Sequence, residues 1–451
     1  MSDFELIIRG GKVVTQGQVS EMDIGVTEGG ITALRPGLTG SAREELNAEG
    51  LYVFPGVIDA HVHFNEPGRT DWEGIDTGSR ALAAGGGTLF FDMPLNAHPP
   101  TIDAESFELK LAAAKEKSVV DFAFWGGLVP QNLDSLEELA DCGVVGFKAF
   151  MCNSGIEDFD SVDFRTLREG MKRVARLELP VAVHAESETI TRQRTGERMV
   201  SGRTSIRDYL DSRPIEAELE AIRVALDIAG ETSCPLHVVH VSCGDGIALI
   251  KEATKKGVNV SSETCPHYLS LRDQDMVKLG AVAKCAPPLR SAADQEKLWE
   301  CLLAGDITTV GSDHSPSPPS MKQNANFFKV WGGISSVQHT LSLMLTEAHV
   351  HRQAPLPLIA ALVSQRVVER FKLPGTKGQI AMGCDADLVL VDLEREFQVK
   401  LEDLFYRHRH TPYVGRKLHG RVVRTVARGR TVFKDGQTGI KPLGRLVKPL
   451  R

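Results

Sequence analysis

Two histidines one residue apart, His61 and His63, close an apolar run, Phe54-Pro55-Gly56-Val57-Ile58-Asp59-Ala60. Alternate side chains of a strand point the same way, so both imidazoles can aim at one point, as metal ligands do. Such a pair is weak on its own, because hydrogen-bonded or solvent-facing histidines occur at this spacing by chance. Four further residues strengthen it: Lys148, His184, His240 and Asp313 each end a short apolar stretch of their own. Four imidazoles and a carboxylate suit zinc first, then cobalt, manganese or iron, and disfavour calcium and magnesium.

Lys148 is the discordant member, since an ammonium repels divalent cations. It is either displaced from the metals, as a solvated or substrate-binding lysine, or it loses its proton and reacts with carbon dioxide. The product of the second route is a carbamate, an anion able to bridge two ions. The apolar residues on either side of Lys148, Val144-Val145-Gly146-Phe147 and Ala149-Phe150, favour that route.

The elements that carry these residues follow from the hydropathy pattern. From residue 57 onward, apolar stretches at 57–61, 88–93, 119–126, 144–150, 180–186, 236–242, 258–264 and 307–313 alternate with amphipathic ones. Helical periodicity is clearest at 104–117, 162–177, 214–229, 246–256 and 292–304. Alternating strands and helices imply a parallel sheet, and eight such units close a (β/α)8 TIM barrel, here expected over residues 55–370. A barrel gathers its strand C-termini around one active site, so residues far apart in sequence meet there. A doubly wound open sheet is the competing architecture, but the loop after the first strand lacks a dinucleotide fingerprint, which also disfavours a dinucleotide-dependent oxidoreductase. Gly85-Gly86-Gly87 precedes a strand and reads as a turn.

Residues 1–54 carry short strand patterns near 5–14, 23–26, 31–34 and 51–54, and strand character returns at 383–392 and 422–433. The two ends are therefore expected to build one small composite β domain, with 1–54 as its N-terminal part and 371–451 as its C-terminal part and tail.

The 451 residues, 42% hydrophobic and 25% charged, suffice for a large core. A net charge of −7 with both signs interspersed argues against nucleic acid or an anionic membrane as the main partner. The acidic start, Met1-Ser2-Asp3-Phe4-Glu5, does not read as a secretion signal, and no run approaches the roughly 20 apolar residues of a membrane span. None of the eight cysteines forms a C-x-x-C pair, so free thiols in a reducing compartment, the cytoplasm, are expected.

Several stretches resemble the amidohydrolase superfamily, specifically its cyclic amidohydrolase branch of dihydroorotases, dihydropyrimidinases, hydantoinases and allantoinases. They are 55–63, Gly146-Phe147-Lys148-Ala149-Phe150-Met151, His184-Ala185-Glu186, His240-Val241-Ser242, 263–269, Pro287-Pro288-Leu289-Arg290 and Ser312-Asp313-His314. The resemblance implies that His61, His63, carboxylated Lys148 and Asp313 hold one metal, while the Lys148 carbamate, His184 and His240 hold a second. It further implies attack on a cyclic amide by a hydroxide shared between the metals, with Asp313 as general base and then acid, and a homotetrameric assembly. His267 and His314 lie in the matching stretches but are not expected to be ligands.

Within the branch the chain is most similar to the allantoinases, through 92–96, 150–155, Ser212-Arg213-Pro214, 314–319 and Trp331-Gly332-Gly333-Ile334. Dihydroorotases place an arginine for a substrate carboxylate where this chain has Asn65, which favours a small neutral cyclic amide. Dihydropyrimidinases and hydantoinases place a tyrosine where this chain has Asn153. Asn65, Asn96 and Asn153 are accordingly expected to read the substrate, although asparagines in turns are also ordinary structural residues. The alternatives are a hydantoinase or dihydropyrimidinase activity, or a non-catalytic oligomeric scaffold of the same fold.

Overall fold

The computed structural model describes residues 2–439 and 441–451. Its centre is a ring of parallel strands: β1 (Val57–Val62), β2 (Gly87–Asp92), β3 (Asp121–Phe124), β4 (Phe147–Phe150), β5 (Val181–His184), β6 (Leu236–Val238), β7 (Val260–Thr264) and β8 (Thr309–Val310). Ladders join β1 to β3 and β4 to β8. Two seams complete the ring. Gly126–Gly127, just beyond β3, pairs with Phe147 and Lys148, and beyond β8 Val62 bridges to His314. The (β/α)8 barrel is thus closed, and its strands are buried on both faces because helices cover the outside and side chains fill the inside.

The strongly periodic segments form helices close to their expected bounds: Ala104–Lys117, Phe164–Ala175, Ile215–Thr232, Gly244–Lys255 and Ala292–Leu303. Three of them start on a side-chain cap, from Asp103, Asp163 and Ser291, which satisfies backbone N–H groups that a first helical turn leaves unpaired. Ile75–Ala84 is a helix that the pattern hid. Its sequence, IDTGSRALAA, is rich in small residues because it lies against the barrel, where a Cβ on Gly78 would sit 2.4 Å from the Phe64 ring. Glu188–Val200 and Ile206–Ser212 are inserted between β5 and its covering helix, above the strand ends.

Both chain ends contribute to a nine-stranded, mainly antiparallel sheet with its own core of Ile8, Ile24, Val26, Val53, Leu388, Leu390 and Val426. Tyr52–Pro55 from the N-terminal segment pairs antiparallel with Leu388–Asp392, in the register Val53 to Leu390. Ala42–Asn47 is an additional strand alongside Phe4–Val14, and its Arg43-Glu44-Glu45 composition conceals it in the sequence.

The far end of the chain returns to the barrel. The Phe122 N–H donates to the Arg445 carbonyl at 3.0 Å and the Val447 N–H to the Phe122 carbonyl at 2.8 Å, so residues 445–447 lie beside the start of β3. Asp121, almost fully buried there, is held by Lys377 Nζ at 2.6 Å, by the Arg445 N–H at 2.9 Å and by the Arg428 guanidinium. Lys377 also binds Asp387 at 2.7 Å and Asp385 at 2.9 Å. This ionic cluster fastens barrel, sheet and tail together.

Candidate metal centre

His61 is the penultimate residue of β1 and His63 lies just beyond it, with both imidazoles on the same side, as the alternation of a strand requires. Asp313 follows β8 and meets them: its Oδ1 is 3.3 Å from His61 Nε2 and 3.4 Å from His63 Nε2. Two ligands each about 2.1 Å from a tetrahedral ion lie about 3.4 Å apart, so Asp313 is spaced from each histidine as one corner of a metal site is from another, and all three donors lie within 4.8 Å of one another.

Neighbouring residues fix that arrangement. Glu263, on β7, takes the His61 Nδ1–H at 2.7 Å and so turns Nε2 toward Asp313. Burial works against ionisation of Glu263, but His61 and His237 outweigh it and hold the carboxyl at about 2. Asp59 Oδ1 accepts the backbone N–H of His61 at 3.1 Å and of Ser312 at 3.0 Å, tying the first and last strands at the site, and burial pushes its carboxyl up to about 6. Gly311 leaves room for the pair: a Cβ there would lie 2.6 Å from Glu263 Oε2. Burial also opposes ionisation of Asp313, yet His61 and His63 keep its carboxylate well below the usual range.

The second half of the constellation is built on β4 to β6. Lys148 is wholly buried, its Nζ has no hydrogen-bond partner, and burial pushes the amine down to about 7. His184 stacks on Phe150 with ring centroids 4.6 Å apart and stands edge-on to His240 at the same distance. The His240 and His61 rings are 5.4 Å apart, which places the two halves side by side. His184 Nε2 donates to Glu186 Oε2 at 2.8 Å, and Glu186 is in turn paired with Arg213. Burial lowers the pKa of His63, His184 and His240, so these rings are neutral, as ligands must be. Cys152, His184 and Glu186 also offer three donor atoms within 4.8 Å of one another, although Arg213 already neutralises Glu186.

Two of the six residues named from the strand ends have left-handed backbone, His240 with φ 41° and Asp313 with φ 46°. Non-glycine residues rarely adopt this conformation, and it persists where the surroundings over-determine it, as at ligand clamps.

A cavity of about 710 Å³ opens above the histidines. Asn96 and Asn153 lie on its wall. Asn96 has φ 69°, while the Asn153 side chain is engaged in its own turn, with Oδ1 accepting the Gly155 N–H at 2.7 Å. Asn65 is placed differently: it is buried, with φ 62° and its Nδ2 3.5 Å from the Pro316 carbonyl, behind the wall rather than on it. His314 serves the backbone, its Nδ1 accepting the Ser336 N–H at 3.0 Å. His267 is buried with neither ring nitrogen hydrogen-bonded, and burial pushes its imidazole down to about 4.

Sequence reasoning assigned no role to Glu186, Glu263, Asp59 or Arg213. Glu186 was within reach, since it follows His184 by two and shares its side of the strand. The Glu263–His61 contact spans 202 residues, and no local signal announces it.

The sequence model of the amidohydrolase family matches residues 52–432. An allantoinase of Rubrobacter xylanophilus is 55% identical, covering 100% of this chain and 99% of its own length. One of Solibacter usitatus is 51% identical, covering 99% of this chain and 97% of its own. The solved structure of an L-hydantoinase (dihydropyrimidinase) from Arthrobacter aurescens superposes with a TM-score of 0.96 at 32% identity, over 99% of this chain and 100% of that one.

Proposed function

The chain belongs to the amidohydrolase family, and we propose that it opens the hydantoin ring of allantoin by hydrolysis to give allantoate. The observation that carries the chemistry is the meeting of Asp313 with His61 at 3.3 Å and His63 at 3.4 Å, beside the buried amine of Lys148, which has no hydrogen-bond partner. The substrate is supported by the full-length likeness to allantoinases.

His61, His63 and Asp313 would hold one divalent transition-metal ion, zinc first among the candidates, and His184 and His240 a second. A Lys148 carbamate would lie between them. Its formation needs a neutral amine, and burial supplies one at neutral pH. Such ions, when bound, acidify water and polarise a carbonyl. Asp313 is ionised throughout the neutral range and stands at the cavity floor, so it can take a proton from the attacking water. It then returns that proton to the ring nitrogen as the C–N bond breaks, leaving a carboxylate on one side and a ureido N–H on the other. Asn96 offers an amide donor and acceptor along the wall and Asn153, whose Oδ1 is taken by the Gly155 N–H, an amide donor, matching a neutral ring with a ureido arm. A homotetramer and a cytoplasmic location belong to the same proposal; no helix among the described residues is long and apolar enough to cross a membrane.

The test is ring opening of allantoin beside hydantoin, dihydrouracil and dihydroorotate, using protein reconstituted with metal and bicarbonate and a Lys148→Ala control. Turnover of allantoin that the control lacks supports the proposal. Preference for hydantoin or dihydrouracil moves the activity to a sister enzyme, and no turnover of any ring points to a scaffold.

A further inference from the structure

One wall of the cavity is built by the segment 327–333, of which 328–333 line it; the segment contains only a three-residue helical turn, Phe327–Lys329, and no strand. Two lysines hold it. Lys284, itself buried, donates from Nζ to the carbonyls of Phe327 at 2.7 Å, Phe328 at 3.4 Å and Val330 at 2.6 Å. Lys322 donates to the carbonyls of Trp331 at 3.0 Å and Gly333 at 2.6 Å. Among the described residues neither ammonium has a carboxylate partner, and Lys284 is instead 4.4 Å from the centre of the Tyr209 ring. Burying a cation without an anion is costly, and burial pushes both amines down to about 7. A purely structural loop anchor would be met more cheaply by neutral groups. Here the two lysine Nζ groups converge on five carbonyls of one seven-residue segment, those of Phe327, Phe328, Val330, Trp331 and Gly333, of which only the Phe327 carbonyl also accepts a backbone N–H, from Val330 at 3.3 Å.

We propose that Lys284 and Lys322 are positioning residues, a pair of ammonium pins that fix the 327–333 segment as the wall against which the cyclic amide is bound. This deepens the function proposed above and rests on a cyclic amide occupying the cavity. Because the pins touch the segment rather than the reacting atoms, their loss acts on binding. It leaves the metal ligands and Asp313 in place.

The experiment compares Lys284→Met, Lys322→Met, the double variant and Lys322→Arg with the wild type, each loaded with metal, on whichever ring the wild type opens best. KM is expected to rise about tenfold or more in each Met variant while kcat falls less than about threefold. The double variant is expected to be little worse than the weaker single, since both pins hold one segment. Lys322→Arg, which keeps a multivalent donor, is expected to recover most of the loss. A proportional fall in kcat, or an unchanged KM in folded, metal-loaded variants, overturns the proposal. If Lys284→Met does not fold, Lys322→Met and Lys322→Arg carry the comparison. Hydrogen exchange at the amides of 327–333, read without substrate, separates the two proposals. Exchange about tenfold faster in Lys322→Met supports the pins even if allantoin is not the substrate. Exchange equal to the wild type refutes them whatever ring is opened.

Discussion

Replacing Glu263 by glutamine isolates the charge behind the first metal position. Glu263 Oε1 accepts the His61 Nδ1–H at 2.7 Å, and Oε2 stands 3.8 Å from His237 Nε2. His237 Nδ1 is taken by Ser261 Oγ at 2.7 Å, so an amide can keep its carbonyl on His61 and turn its NH2 toward His237. The fold and the His61 orientation should therefore survive, and only the negative charge is lost. A hydrogen bond to a charged group is worth about 1.5–3 kcal/mol and a neutral one about 0.5–1.5 kcal/mol, so the variant should forfeit about 1–1.5 kcal/mol of ligand basicity and orientation. Since about 1.4 kcal/mol is tenfold, metal affinity should fall about tenfold, the lower end of the range for partners of metal-binding histidines. Competition with a chromogenic chelator measures this directly, with circular dichroism to show that the fold is intact. At saturating metal, kcat should return to within a few-fold of the wild type. Affinity within twofold of the wild type would refute the role assigned to Glu263. Glu263→Ala should be worse, because it leaves the His61 Nδ1–H buried without an acceptor.

Three further outcomes are expected. Lys148→Met should abolish turnover without lowering the thermal midpoint of the metal-free protein, because Nζ has no hydrogen-bond partner to lose and its burial is itself unfavourable; a lower midpoint there would show a structural partner for the amine. Gly311→Ala places a Cβ 2.6 Å from Glu263 Oε2 and 3.1 Å from the His61 Cβ, and should cost about 1–3 kcal/mol of stability by denaturant titration together with tight metal binding. In acid, Glu186 and Glu263, held at about 2 against an ordinary 4.5, stabilise the fold above pH 4.5 and lose that contribution as the pH falls toward 2. Asp59, pushed up to about 6, acts in the opposite sense between pH 6 and 4, while the buried histidines His63, His184, His240 and His267, lowered from 6.5, withdraw stability as the pH falls below 6.5. The decline should therefore begin near pH 6.5 and steepen below 4.5, and in that lower window it should be shallower in Glu263→Gln.

Much of this architecture is legible in the chain because the barrel repeats one physical rule. Most strands are apolar on both faces, and a polar residue at the C-terminal end stands out, which makes His184 and Asp313, 129 residues apart, legible as one set. The helix Ile75–Ala84 escaped because small residues packed on Phe64 blur its periodicity, and the strand Ala42–Asn47 escaped because it is charged. At the site the readable part is the ligand set, whose chemistry is unusual at every position. The unreadable part is the set of partners. Lys284 and Lys322 look like ordinary solvated lysines in sequence, and only the folded chain brings five carbonyls to them. Asn65 had the right composition for a substrate contact, but its backbone sends the amide toward Pro316.

The ionic cluster around Asp121 also bears on how the protein is made. This buried carboxylate sits at the entrance of the third strand, yet Lys377, Arg428 and Arg445 are all at least 256 residues further along the chain. A nascent polypeptide that has already emerged through the eighth strand still carries Asp121 with no cation to meet it. Stable sealing of the ring is therefore expected to await the segment 377–445, which supplies every one of these partners. Ribosome-bound chains halted before residue 377 should remain open to protease across β3, and chains released past residue 447 should not.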